Sequence, residues 1–273
     1  MTVPKVTVSL LGNFALRLDG IRQPLHVAGN TKRLLMLLAS QANKGFRREY
    51  VIEEIWPTST LERGASSMNS AVCRLRSGLE NFPGLSLEAV DDVIRLRVRP
   101  PASTDAAELT DALAEISGED SPTQLTASQR LRLKTAVGAS GREFLEGCGD
   151  HWVLPLRERY CALIVKALTL LMNDAGLIGD YEQALDYGRQ ILERDPFRES
   201  VQRAVMSLYA LNCQRAQAIL QFRRLEDQLS TELGITPMAE TVTLYESILR
   251  PEFASSSAQS VLSVGRETGF PAG

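Results

Sequence analysis

The sequence predicts a mainly α chain with a small β component: a short mixed region at the N-terminus, then an all-α repeat region. Three patterns carry that expectation. Residues 6–11, 14–18, 85–90 and 93–98 alternate or are rich in β-branched residues, as strands are. Between these pairs lie three segments whose apolar residues recur at helical spacing. From Leu156 onward helix follows helix, with turn residues between them and no strand pattern.

Composition bounds the function. The 273 residues suffice for one large domain or two modest ones, and 44% hydrophobic content is ordinary for a chain that buries a core. No run approaches the ~18 apolar residues of a membrane span, and MTVPKVTVSLLGNF lacks a basic lead into an apolar leader, so neither a membrane nor a secretory signal is expected. Cys73, Cys148, Cys161 and Cys213 are widely spaced and read as reduced thiols of a cytoplasmic protein. The net charge of −3 conceals a division: residues 1–100 carry 14 Lys and Arg against 9 Asp and Glu, leaving −8 for the remainder. A basic half joined to an acidic half implies one part that meets a polyanion and another that does not.

The elements follow in order. Residues 6–11 and 14–18 are strands, the second ending in the Asp19-Gly20 turn signal, and residues 24–27 supply a third. Thr31 is placed to cap a helix from Lys32 to about Asn43, whose apolar side is Leu34, Leu35, Leu37 and Leu38. A shorter helix covers residues 48–56, with Val51, Ile52, Ile55 and Trp56 inward and Pro57 as its stop. The third, residues 65–80, is striped by Met68, Val72, Leu75 and Leu79. A rotation of ~100° per residue puts Ser66, Ser70, Cys73, Arg74 and Ser77 opposite that stripe, with Asn69 and Arg76 on the flanks. Short hydroxylated residues allow close approach, while Asn and Arg suit base edges and phosphates, so this face fits a DNA major groove. A plain solvated helix face is the alternative. Pro83-Gly84 then turns into a hairpin, residues 85–90 and 93–98, in which Arg95, Arg97 and Arg99 share one face.

A small sheet, three helices and a hairpin make a winged helix-turn-helix, and the leading sheet narrows it to the response-regulator output (OmpR-type) form. Here the chain resembles a known family, the antibiotic-regulatory (SARP-type) bacterial transcriptional activators. The resemblance rests on SLLGNFALRLDG, on NTKRLLMLLASQANKGFRREYVIEEIW and on NSAVCRLRSGLE, where that family places its recognition helix, and it extends over residues 6–249. Two departures stand out: Ser77 replaces a usual arginine, and the wing tip is Asp91-Asp92 instead of a basic, glycine-rich turn.

Pro100-Pro101 and the small residues after it mark a linker between a DNA-binding domain (1–100) and a helical domain (101–250), with 251–273 as a Ser-, Gly- and Ala-rich disordered tail. Helices are expected at 105–116 and 128–137, with a loop at 118–122 between them. Residues 138–149 are glycine-rich but have neither GxGxxG nor GK[ST], and GREFLEGCGDHW resembles the family's approach to its activator domain. Leu168–Leu171, Gly179-Asp180, Ala184 and Asp195-Pro196 fit a tetratricopeptide-like repeat, and Tyr209, Ala218 and Phe222 mark a second, with Cys213 where glycine is usual. LEDQLSTELGITP and a closing helix match the end of the family's bacterial transcriptional activator domain.

No catalytic constellation is present, no cofactor is expected, and the chain reads as a regulator, not an enzyme. His26 and His151 are far apart and read as structural; Asp174, Asp180, Glu182 and Asp186 read as a solvated face. The candidate DNA contacts are Ser66, Asn69, Ser70, Arg74 and Arg76 on the third helix, Lys32, Arg33, Arg47 and Arg48 at two helix starts where N–H groups and the dipole favour phosphate, and Arg95 and Arg97 on the wing. Pairing with Glu80 at i+4 is the other use for Arg76. The resemblance implies binding to double-stranded DNA at direct repeats as a homodimer and recruitment of RNA polymerase. The other reading is a repeat-type interaction adaptor whose grip on DNA is weak or lost, a reading the Ser77 and Asp91-Asp92 departures favour.

Overall fold

The structure is a computed structural model describing residues 4–116, 124–138 and 143–250. The expected loop at 118–122, residues 139–142 of the glycine-rich stretch and the tail lie outside those residues. The chain forms two compact units, one of residues up to 115 together with 135–163, the other of 116–134 together with 164 onward.

In the first unit, β1 (Val6–Ser9) pairs antiparallel with β2 (Ala15–Leu18), which pairs with β3 (Ile21–Gln23) across the Asp19-Gly20 turn. The third strand thus precedes Pro24 and does not occupy 24–27, because the two-residue turn sets its register at once and Pro24 has no N–H for the ladder. Helix α1 (Gly29–Ser40) starts before the expected cap: Ala28 is its N-cap, and Thr31 is buried inside the first turn. A two-residue strand, β4 (Phe46–Arg47), precedes α2 (Arg48–Ile55) and was not legible in so short a segment. Trp56 stands half-buried just beyond α2, where full burial was expected. Helix α3 (Leu61–Leu79) is followed by the hairpin β5 (Leu85–Val90) and β6 (Val93–Val98), against which β4 adds a third strand. The core gathers Leu34, Leu35 and Leu38 of α1, Val51 and Ile55 of α2, Met68 and Leu75 of α3, and Ile94 and Leu96 of β6.

The expected linker is a strand. Ala102–Thr104 forms β7, which lies parallel to β1 in the order β3-β2-β1-β7. Helix α4 (Asp105–Ala114) follows, capped by Thr104, whose hydroxyl accepts from the Ala107 N–H. The Asp105 carboxylate is buried and accepts from the N–H groups of Leu10, Leu11 and Ala106 at 2.8–3.1 Å. Parallel pairing and this carboxylate join residues 102–105 to the N-terminal sheet. Phe144 is buried there too, stacked on Tyr160 at 4.6 Å.

Helix α5 (Ala127–Gly138) and α6 (Leu154–Leu177), the latter entered through a 3-10 turn at His151–Val153, lead into the repeat region. There α7 (Tyr181–Leu192), α8 (Glu199–Leu211), α9 (Arg215–Gln228) and α10 (Ala239–Leu249) succeed one another. Pro196 lies in the α7–α8 turn, before α8 begins at Glu199. Ala184, Ala218 and Phe222 are buried as the repeat pattern requires, and Phe222 stacks on Tyr245 at 4.0 Å. α7 and α8 approach closely at Gly188, where an added Cβ would fall 2.5 Å from Val205 Cγ2. Asp174 corrects the solvated-face reading: it is buried, accepts from the Leu125 N–H at 2.9 Å and pairs with Arg130 at 2.5 Å. Asp180 caps α7, Glu182 accepts from Asn212 and Gln214, and Asp186 pairs with Arg189.

Candidate nucleic-acid interface

Helix α3 is positioned by its inner face. Thr60 caps it, accepting from the Arg63 N–H, and Gly64, Met68, Ala71, Val72, Leu75 and Leu79 are buried. Gly64 sets the distance to α2: a Cβ there would lie 2.4 Å from Ile52 Cγ2. With that side fixed, Ser66, Asn69, Ser70, Cys73, Arg74, Arg76 and Ser77 are all exposed. The amphipathic spacing had placed all seven off the apolar stripe.

The outer groups have distinct hydrogen-bonding states. Arg48 Nη2 donates to Asn69 Oδ1 at 2.5 Å, so the Asn69 amide keeps its NH2 for an acceptor such as a purine edge. The Ser70 hydroxyl donates to the Ser66 carbonyl at 3.0 Å and retains its lone pairs. Neither Arg74 nor Arg76 has an ion-pair or hydrogen-bond partner among the described residues, so Arg76 and Glu80 do not pair. Lys32 and Arg47 are exposed cations at the starts of α1 and α2.

Arg33 is placed otherwise than its sequence position implied. Its guanidinium meets the Asp150 carboxylate in a two-point bond, at 2.6 and 2.9 Å, and its Nη1 donates to Asn30 Oδ1. The bond to Asp150 raises the guanidinium pKa; burial opposes charge on Asp150, yet Arg33 holds that carboxyl below the usual range. Neighbours in sequence gave no sign of this partner, which arrives from 117 residues away.

The wing is less basic than its arginines suggest. Glu88 lies opposite Arg95 in the ladder and receives Arg97 Nε at 2.7 Å, with Arg95 Nε at 3.7 Å, so one carboxylate offsets part of the two charges. Asp91 turns the chain with φ +52, and the Asp92 carbonyl accepts from the Arg48 N–H at 2.9 Å. That bond ties the acidic tip to the start of α2. Two open grooves, about 580 and 830 Å³, border α3, and both are lined by His26, Val27 and Arg74. His26, read as structural, is exposed.

The helical region carries the decisive likeness. Residues 104–249 match the family described as the bacterial transcriptional activator domain. The chain belongs to that family. Its SARP-type resemblance is upheld, and so is a mainly α fold with an N-terminal winged helix. The chain is 25% identical over 265 aligned positions to the transcriptional regulatory protein MoaR1 of Mycobacterium bovis (strain BCG / Pasteur 1173P2), covering 91% of this chain and 81% of that protein. The counterpart from Mycobacterium tuberculosis (strain ATCC 25618 / H37Rv) is 24% identical over the same shares. Among solved structures, Mycobacterium tuberculosis EmbR in complex with a low-affinity phosphopeptide superposes with a TM-score of 0.72 at 21% identity, covering 96% of this chain and 70% of that one. The two MoaR1 proteins are transcriptional regulatory proteins, in keeping with a regulator and not an enzyme. One stretch, residues 151–177, is long and apolar enough to cross a membrane, but 56% of its most apolar window is buried inside the protein, as in a core helix.

Proposed function

We propose that the chain is a sequence-specific, DNA-binding transcriptional activator acting in the cytoplasm. In this reading residues 1–100 bind double-stranded DNA and residues 101–250 form the activating and pairing part. Helix α3 enters the major groove, with Asn69, Ser70 and Arg74 at base edges and Ser66 and Arg76 beside them. Lys32, Arg47 and Arg48 meet flanking phosphates, as do Arg95 and Arg97 where Glu88 leaves them charge. A homodimer occupies direct repeats and recruits RNA polymerase. The observation that carries the reading is the outer face of α3, which is exposed throughout, has no carboxylate in its central row and holds two arginines without partners among the described residues.

The test is a fluorescence-anisotropy titration with duplex from the chain's own upstream region at several salt concentrations. Binding should weaken linearly in log–log form with salt. Arg74→Ala and Asn69→Ala should each weaken it about tenfold to a hundredfold and relax sequence preference. No binding at low salt, or binding indifferent to both substitutions, ends the proposal. The Glu88 pairing and the Asp91-Asp92 tip favour the second reading, a protein-interaction adaptor, and the first of those outcomes would select it.

A further inference from the structure

The larger groove beside α3 has a floor with unsatisfied donors. Ala28, the N-cap of α1, offers no side-chain hydrogen bond to the helix start. Gly29 has φ +53 and is followed by helical Asn30, a left-handed to right-handed succession that turns consecutive N–H groups toward one concavity. The backbone N–H groups of Asn30 and Thr31 donate to no described residue. Thr31 is an independent observation: it is 5% exposed, it lines the groove, and its hydroxyl makes no hydrogen bond among the described residues. With no partner among the described residues, that hydroxyl opens only onto the groove.

The walls have one chemical character. Across from Thr31 stand Ser66, Ser70 and Arg74 of α3, and His26 lies at the side; among the described residues no carboxylate lines the groove. The Arg74 guanidinium has no partner among the described residues, Lys32 is exposed next to Thr31, and the α1 dipole adds partial positive charge. Arg33, one of the two cations that sequence position had assigned to this helix start, is held by Asp150, so Arg74 of α3 and Lys32 are the cations left beside the groove.

We propose that the start of α1 is a phosphoryl-anion site, with the Asn30 and Thr31 amides and the Thr31 hydroxyl as its floor and Arg74 as its far wall. Two sources share that chemistry: a phosphodiester of bound DNA, in which case the inference rests on the proposed function, or the phosphate of a free ligand. In the first case α3 and α1 grip DNA together, Arg74 spanning base edge and backbone. In the second, occupancy of the groove lies against the recognition helix and competes with DNA.

The experiment titrates inorganic phosphate into the ¹⁵N-labelled full chain and follows the Asn30 and Thr31 amide resonances. Saturable shifts at millimolar phosphate are expected, and Thr31→Val and Arg74→Gln should each weaken them at least fivefold. Thr31→Val tests the buried hydroxyl; Arg74→Gln changes an exposed side chain and keeps the test valid should the buried substitution perturb folding. No saturable shift at these amides in the wild type, or titrations unchanged in both folded variants, overturns the site. A second arm separates the sources. If the seat holds a DNA phosphate, saturating duplex abolishes the phosphate response, and Thr31→Val weakens operator and unrelated duplex alike, about threefold to tenfold. If phosphate still binds the DNA complex and Thr31→Val leaves DNA affinity unchanged, the site stands and its anion is a free ligand. A chain that fails to bind DNA but still saturates with phosphate rejects the proposed function and keeps the site.

Discussion

At Asp105 the chain places a charge where a hydrophobic residue would be expected. Burial pushes its carboxyl up to about 6 from an ordinary 3.8, against the pull of backbone N–H groups from Leu10, Leu11 and Ala106. The folded protein therefore keeps a proton between those values that the unfolded chain has lost. This group's contribution to stability is present below about pH 4, falls as pH rises, and is gone once pH passes about 6. The change is on the order of 3 kcal/mol. Urea unfolding from pH 4 to 7 should show the wild type losing that much relative to Asp105→Asn, which has no proton to lose; parallel curves for the two proteins would refute the assignment. Arg33 makes the complementary point. Its charge is legible in the sequence, its use is not, because Asp150 is distant in the chain and near only in the fold.

Among elements, two backbone positions set how helices meet. Gly64 lets α3 approach α2 so closely that any side chain strikes Ile52. Gly64→Ala should cost about 1–3 kcal/mol by overpacking and displace α3, lowering DNA affinity with it. Adding Ile52→Ala removes the struck methyl, so the double variant should lose less than the sum of the two single losses in thermal unfolding. Additive losses would show that the contact does not govern the spacing. In the repeat region Gly179 takes φ +82 in the turn before α7, and Cys213 takes φ +58 in the turn before α9. The repeat pattern marks 213 as a glycine position, and the backbone there keeps the conformation glycine would adopt freely. Cys213 is exposed, so Cys213→Gly loses little packing and should raise stability by about 1 kcal/mol. A lowered melting temperature would mean that the cysteine side chain itself matters to the turn.

For the whole molecule, the division of charge along the sequence is partly undone by folding. Residues 1–100 are net basic, yet Glu88 sits between Arg95 and Arg97, and Asp91-Asp92 form the wing tip. If the wing lies along the phosphate backbone, Glu88→Gln frees positive charge there. DNA affinity should then rise several-fold at low salt, and the slope of log affinity against log salt should steepen by about one. An unchanged slope would remove the wing from the interface.

Much of this was legible along the chain, and the division has a plain cause. Helical periodicity, the Asp19-Gly20 turn and alternation in the hairpin are local, so the sequence by itself determined the order of the longer helices and the hairpin, the buried stripe of α3 and the polar face opposite it. The repeat signature and the match to the activator family are likewise patterns along the chain. What only the tertiary structure decided depends on residues far apart in sequence. The pairing of β7 with β1 turned an expected linker into sheet, Asp150 claimed Arg33, Arg130 and the Leu125 amide drew Asp174 into the interior, and the start of α1 came to face Arg74. A linear pattern reports which face a side chain takes on its own helix or strand. It carries no record of the partner that packing brings to that face, and that partner decides whether a charge is free for a ligand or spent on the fold.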